Sequence, residues 1–256
     1  MVKTKEQLSE ALRLETYPRS AKYDPEWVME NLMGPNVLWL TESLSQVMEL
    51  RPGMRLLDMG CGTAISSIFL AKEFGVQVWA TDLWVAASEN WQRICAAGLS
   101  GQVFPIHAEA HALPFADDFF DAIVSLDAYH YFGTDDLYLG SSFVKLLKPG
   151  GQLGIHVPGL VRELPEELPE YLKPYWNWEF YSFHSPDWWR RHWLHTGMVE
   201  VEHADLPPQG WKDWVLWEEL CAEQNARHDE REAEMLRVDA GRYLGFSRVV
   251  ARRKVG

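Results

Sequence analysis

Two glycines one residue apart, behind an acid and ahead of an apolar helix, are the feature of this 256-residue chain best suited to hold a ligand. The segment reads Leu56-Leu57-Asp58-Met59-Gly60-Cys61-Gly62-Thr63-Ala64. A short apolar strand runs into the turn, where glycines let the backbone reverse sharply and let a ligand approach without meeting a Cβ. The helix that follows directs its free N–H groups at the bound molecule. With Gly60 and Gly62 in the first two places of a dinucleotide fingerprint, the third place falls on Ile65, which breaks it. Asp58 beside the turn repels a pyrophosphate and welcomes a cation. S-adenosylmethionine (SAM) carries an ammonium and a sulfonium but no phosphate, so the residue chemistry favours SAM over NAD. Asp82 ends the next apolar stretch, Val78-Trp79-Ala80-Thr81-Asp82. An acid there accepts hydrogen bonds from two ribose hydroxyls; the competing reading is an N-cap for the next helix.

Methyl transfer from a sulfonium is an in-line displacement, so a protein must bring the nucleophile close, desolvate it and remove any proton it has to lose. In an open α/β sheet the reacting groups lie beyond the carboxyl ends of the strands. One such end reads Leu126-Asp127-Ala128-Tyr129-His130-Tyr131-Phe132. His130 is the candidate general base, because an imidazole titrates near neutral pH; the plainer reading places it in the pocket wall. Asp127 is the candidate for orienting the nucleophile or the sulfonium, against a role as an ordinary loop acid. Tyr129 and Tyr131 either line the cavity or fill core. Eight of the 13 tryptophans fall between Trp176 and Trp217. Aromatic faces can enclose a protonated or quaternary amine, yet Trp188, Trp189 and Trp193, and Trp211, Trp214 and Trp217, have helical spacing, which favours packing against a sheet.

The elements that must position these residues alternate. Strands are expected at 55–59, 77–81, 103–107, 122–126 and 152–157, with helices at 64–74, 85–97 and 137–147 between them. That order argues for βαβ units and a parallel sheet with helices on both faces. Residues 1–50 read as helices, closed by Arg51-Pro52-Gly53. Residues 158–186 hold several prolines and a cluster of aromatics, which suits an irregular lid rather than a long helix or strand. A helix from 186 to 196, a strand at 198–202, a helical region at 211–237 and a last strand at 243–252 follow.

These motifs resemble those of the class I SAM-dependent methyltransferases, in the branch that acts on small molecules. The resemblance is close over 50–157 and looser elsewhere. It implies a Rossmann-like α/β fold with a seven-stranded mixed sheet, the last two strands forming an antiparallel hairpin. It implies one domain over 1–256, with a helical cap at 1–50, a SAM-binding core at 51–157, and a substrate lid with the last strands at 158–256. Asp58, Gly60, Cys61 and Gly62 match the motif around the methionine end, with Ala64 where many members have a third glycine. Asp82 matches the ribose acid and Leu83 the residue packing on adenine. Glu109-Ala110-His111-Ala112-Leu113-Pro114-Phe115 matches the adenine motif, with Glu109 in place of the usual Asp and the Ala110 backbone beside it. Asp127 counts among the cofactor contacts as well. The N-terminal region often folds over the cofactor in this family, which makes Tyr17 a candidate contact. The region after the fifth strand commonly lines the substrate pocket, which brings in Trp176, Tyr181 and Trp189.

Composition narrows the partners. Apolar content of 47% and charged content of 24% are those of a globular protein, and no apolar run has membrane-spanning length. A net charge of -13 works against nucleic acid. The first residues lack a signal-peptide core, and Cys61, Cys95 and Cys221 form neither a disulfide framework nor a metal knuckle. No metal is expected. A cytoplasmic methyltransferase, monomer or homodimer, acting on a small amine or hydroxyl acceptor is the reading reached, against an NAD-dependent oxidoreductase or a SAM-binding scaffold without catalysis.

Overall fold

A computed structural model describes residues 2–224 and 230–255. Its centre is a seven-stranded sheet in the order β3-β2-β1-β4-β5-β7-β6. The strands are β1 (Arg55–Met59), β2 (Gln77–Asp82), β3 (Val103–His107), β4 (Phe120–Leu126), β5 (Leu147–Leu160), β6 (Val199–Asp205) and β7 (Leu244–Arg253). The first five pair in parallel. β7 lies antiparallel between β5 and β6, so the closing hairpin of the expected class I methyltransferase fold is present.

Successive strand residues face opposite sides. Leu57 and Ile123 therefore join one apolar cluster while Leu56, Ala122 and Val124 join another. The second cluster is covered by α3 (Val37–Ser45) and α4 (Ile65–Phe74), through residues such as Leu44 and Ile68. α6 (Pro186–His195) covers the first, driving Trp189 and Trp193 into it with no exposed surface. Ser185 caps α6 by accepting the Trp188 N–H at 3.3 Å, and Pro186 occupies the first turn, where a missing N–H costs nothing. Ahead of α3 lie α1 (Lys5–Ala11) and α2 (Pro25–Glu30); α5 (Ala87–Ala96) links β2 to β3. α7 (Gly210–Glu223) and α8 (Glu230–Asp239) precede β7. Residues 225–229 of the expected helical region at 211–237 lie outside the described residues.

One expected element differs. The helix expected at 137–147 is a π-helical turn, Leu139–Phe143, followed by a 3-10 turn, Val144–Leu146. Gly140, Ser141 and Ser142 are weak helix formers in its middle, and the fifth strand begins early, at Leu147. The expected lid is largely irregular, with a short 3-10 helix at Trp178–Ser182. Among the described residues no helix is long and apolar enough to cross a membrane.

Trp189 is thus a core residue and not part of a lid. Trp189→Ala is expected to lower stability by about 3–5 kcal/mol in urea denaturation. Loss of acceptor affinity at unchanged stability would return Trp189 to the lid.

Candidate active site

The strand order reverses between β1 and β4, and an α/β sheet opens a crevice beyond the strand ends at such a point. A cavity of about 320 Å³ occupies it, walled by Met59, Asp82 and Leu126 from the ends of β1, β2 and β4. Gly60, Cys61, Gly62, Leu83, Glu109, Ala110, Asp127 and Tyr131 also line it.

The glycine turn is held from β2. Gly60 and Cys61 donate their N–H groups to the Thr81 carbonyl at 2.8 and 3.1 Å. Gly62 donates to Asp82 Oδ2 at 2.8 Å, while Asp82 Oδ1 accepts from Trp84 and Val85 at 2.8 and 2.9 Å. The structural reading of Asp82 is therefore real, although it braces the loop rather than capping the helix: the cap of α5 is Ala86. Its carboxylate still borders the cavity with lone pairs to spare. Gly60 has φ +75°, and a Cβ there would overlap that of Ala128. Ala64 has no such excuse: it holds φ +62° at the start of α4, where most L-residues are strained.

Asp58 lies behind the turn with no exposed surface. Its Oδ2 accepts hydroxyls from Ser66 and Ser67, both at 2.6 Å, and Oδ1 has no donor among the described residues. Burial raises its carboxyl to about 6, against the two serine hydroxyls. Asp58 thus reaches the cavity by its charge rather than by contact. Cys61 is buried, and burial raises its thiol well above the usual range, so it stays a neutral wall group. Glu109 is half-exposed and accepts from the N–H and Nδ1 of His111 at 2.9 and 2.7 Å; that bond lowers its pKa.

β4 ends in a reversal. Asp127 sits at φ +52° and donates its N–H to the His156 carbonyl at 3.0 Å. Its carboxylate meets the backbone of Gly34, where a Cβ would overlap Oδ2. A 3-10 turn, Tyr129–Tyr131, follows and, at about 120° per residue, sends its three side chains in three different directions. Tyr131 reaches the cavity, half-exposed, with its ring 5.5 Å from that of Trp84. Tyr129 and His130 do not. Tyr129 is fully buried among Phe132, Tyr138, Phe143, Trp189 and Trp193. His130 is buried between Tyr131 and Phe183, and burial pushes its pKa down to about 3. An imidazole so weakly basic, and off the cavity, is a poor proton acceptor.

Tyr17, too, is away from the cavity: it stacks on Trp39 and donates its hydroxyl to Asp213 at 3.0 Å. Trp176 packs on Phe180, and Tyr181 is largely exposed beside Trp176; neither lines the cavity, nor does Trp189. The cap contribution comes instead from the loop between α2 and α3, where Asn31, Met33, Gly34 and Asn36 line the cavity. Trp217 of α7 borders it and donates its indole N–H to the Gly34 carbonyl at 2.8 Å. The Gly34-Pro35 pair was a visible turn signal, but nothing local tied it to the strand ends.

An acid with an unsatisfied buried oxygen behind a two-glycine turn, and a second acid on the cavity wall, suit a cationic nucleoside such as SAM. Residues 56–151 match the family model for a methyltransferase domain. The match runs from β1 to the start of β5, the part of the sheet that carries the glycine turn, Asp82 and Asp127, and over it the chain is similar to class I methyltransferases. The chain is 32% identical over 170 residues to a ubiquinone/menaquinone biosynthesis C-methyltransferase of Vibrio parahaemolyticus, covering 64% of this chain and 61% of that one. A demethylmenaquinone methyltransferase of Corynebacterium efficiens is 32% identical over 123 residues, covering 48% and 49%. The chain thus spans about half the length of the curated relatives it matches. Among solved structures, Haemonchus contortus phosphoethanolamine N-methyltransferase 2, in complex with SAM, superposes with a TM-score of 0.71 at 19% identity, over 97% of this chain and 60% of that one.

The buried acid makes stability depend on pH. Because the folded pKa of Asp58, about 6, exceeds its unfolded value, its protonated form contributes stability that is fully present below about pH 4 and lost as pH rises through about 6. Asp58→Asn cannot ionise, so wild type should lose up to about 3 kcal/mol more than the variant between pH 4 and 7.5. Parallel pH profiles in chemical denaturation would remove Asp58 from this role.

Proposed function

We propose that this protein transfers the methyl group of SAM to a small-molecule acceptor, an amine or a hydroxyl presented at the Asp127–Tyr131 end of the cavity. One observation carries the reading: the glycine turn with Asp82, and the reversal with Asp127, open onto the same cavity. Bound SAM supplies a methyl group on a positively charged sulfur. Gly60 and Gly62 leave room for its methionine end, and the N-terminal amides of α4 face its carboxylate. Asp82 accepts from the ribose; Leu83, Ala110 and Glu109 form the adenine end. Asp127, Tyr131 and Trp217 would then wall the part of the cavity in which the methyl group is presented.

What these residues contribute is mainly position. The wall fixes the approach of the acceptor along the line of the breaking bond, where orientation removes much of the barrier. Asp127 is the titratable group placed to orient the nucleophile or take its proton. Burial raises its carboxyl well above the usual range, with the Glu232 carboxylate adding to the effect, and a carboxylate so raised is a better base.

Calorimetric titration with S-adenosylhomocysteine, with NAD as control, tests the reading. The former alone should bind, and Asp82→Ala should weaken it about 10–100-fold, as expected for lost bonds to a charged acceptor. Binding of NAD, or unchanged affinity in the variant, would refute the assignment of the site.

A further inference from the structure

The charge of the cavity is one-sided. Among the described residues that line it, Asp82, Glu109 and Asp127 are acids, and none is lysine or arginine. Of the other titratable groups on the lining, His111 is tied to Glu109, and burial raises the Cys61 thiol and the Tyr131 hydroxyl so that both stay neutral. Two of the three acids are engaged, Asp82 by three backbone N–H groups and Glu109 by His111. No hydrogen bond or ion pair from a described residue reaches the Asp127 carboxylate. Further negative charge lies close behind it. The carboxylates of Asp127, Glu179 and Glu232 all raise the pKa of the Tyr131 hydroxyl, and Glu232 is anchored by the Trp214 indole N–H at 2.9 Å. Four aromatic side chains line the same cavity, Tyr131, Phe132, Trp84 and Trp217, with the Trp84 ring 5.5 Å from that of Tyr131.

A partly enclosed, aromatic, negatively charged cavity repels an acceptor carrying a carboxylate or phosphate and attracts a cation, which both the acid and the ring faces stabilise. We propose that the acceptor is an amine that enters protonated, its ammonium seated between the Asp127 carboxylate and the Tyr131 ring, and that it is methylated on nitrogen. The inference rests on the methyl-transfer reading above and narrows it to one substrate class. The ammonium gives one proton to Asp127, leaving a neutral amine and a carboxylic acid. The freed lone pair forms the new N–C bond as the C–S bond breaks and its electrons pass to sulfur. The product leaves as a methylated ammonium, and Asp127 returns its proton to water. The absence of a cationic residue from the described lining separates this site from one that grips a phosphate. Although a phosphoethanolamine methyltransferase has a similar fold, the described lining offers no cation to hold a phosphate, which disfavours phosphorylated amines.

The test uses the full-length protein saturated with S-adenosylhomocysteine, its binding confirmed first, so that a missing cofactor site is told apart from a wrong acceptor class. Phenethylamine, phenethyl alcohol, phenylacetate and phosphoethanolamine are then compared by competition or thermal shift. The amine is expected to bind at least about tenfold more tightly than the alcohol, as a bond to a charged group confers, with no binding of the two anions. Asp127→Asn should erase that preference, and Asp127→Glu should restore part of it. The proposal is overturned if the panel shows no charge preference, if an anion binds as well as the amine, or if the preference survives in Asp127→Asn. It is equally overturned if that variant loses S-adenosylhomocysteine instead, because the carboxylate would then serve the cofactor.

Discussion

The geometry of the site depends on one register. Met59 pairs with Thr81 where β1 meets β2, and the residues at and just beyond that pair exchange three of the bonds that shape the glycine turn. Thr81 and Asp82 supply the acceptors; Gly60, Cys61 and Gly62 supply the donors. The two glycines have no side chains of their own to fix them, so the turn takes its shape from a neighbour. A slip of one residue between these strands would carry Asp82 to the opposite face of the sheet. Burial of Leu56, Leu57, Val78 and Ala80 excludes that slip, so packing of the core and shape of the binding turn are one constraint.

The other side of the cavity is fixed by aromatic packing. Tyr129 lies in the same short turn as Tyr131 and two residues beyond Asp127, and five aromatic rings surround it at centroid distances of 5.3–5.8 Å. Its hydroxyl and the indole nitrogens of Trp189 and Trp193 find no geometrically sound partner among the described residues, and each such buried group costs about 1–3 kcal/mol. That cost is offset by the apolar area these large rings remove from water. The result is a rigid floor from which Asp127 and Tyr131 project.

The sheet, its order of elements and the glycine turn were legible because each is written locally. Apolar strands alternate with helices, and Gly60, Gly62, Asp82 and Ala110 sit within a few residues of strand ends that face one crevice. The cap was not legible in the same way. Tyr17 is a candidate because the N-terminal region of the family often folds over the cofactor, but its contacts are with Trp39 and Asp213; Met33 and Gly34 reach the cavity through folding of segments far apart in sequence. His130 shows the limit most sharply. It lies between two residues that matter to the cavity, yet a 3-10 turn points neighbouring side chains apart, and one-residue phase in such a turn is invisible to pattern alone. Several tryptophans followed the commoner rule, with Trp189, Trp193 and Trp214 serving as core and Trp217 packed in the core with an edge on the cavity.

The bond from the Trp217 indole to the Gly34 carbonyl joins residues 183 apart in sequence. It gives the site a history as well as a shape. A ribosome finishes the glycine turn, Asp82 and Asp127 well before it reaches Trp217, and β7, which separates β5 from β6 in the sheet, comes last of all. The emerging chain therefore carries the cofactor's recognition elements for much of its synthesis without the residue that fastens their cover. The wall that Trp217 supplies is added only once the chain as far as α7 has emerged, well after the glycine turn and Asp127.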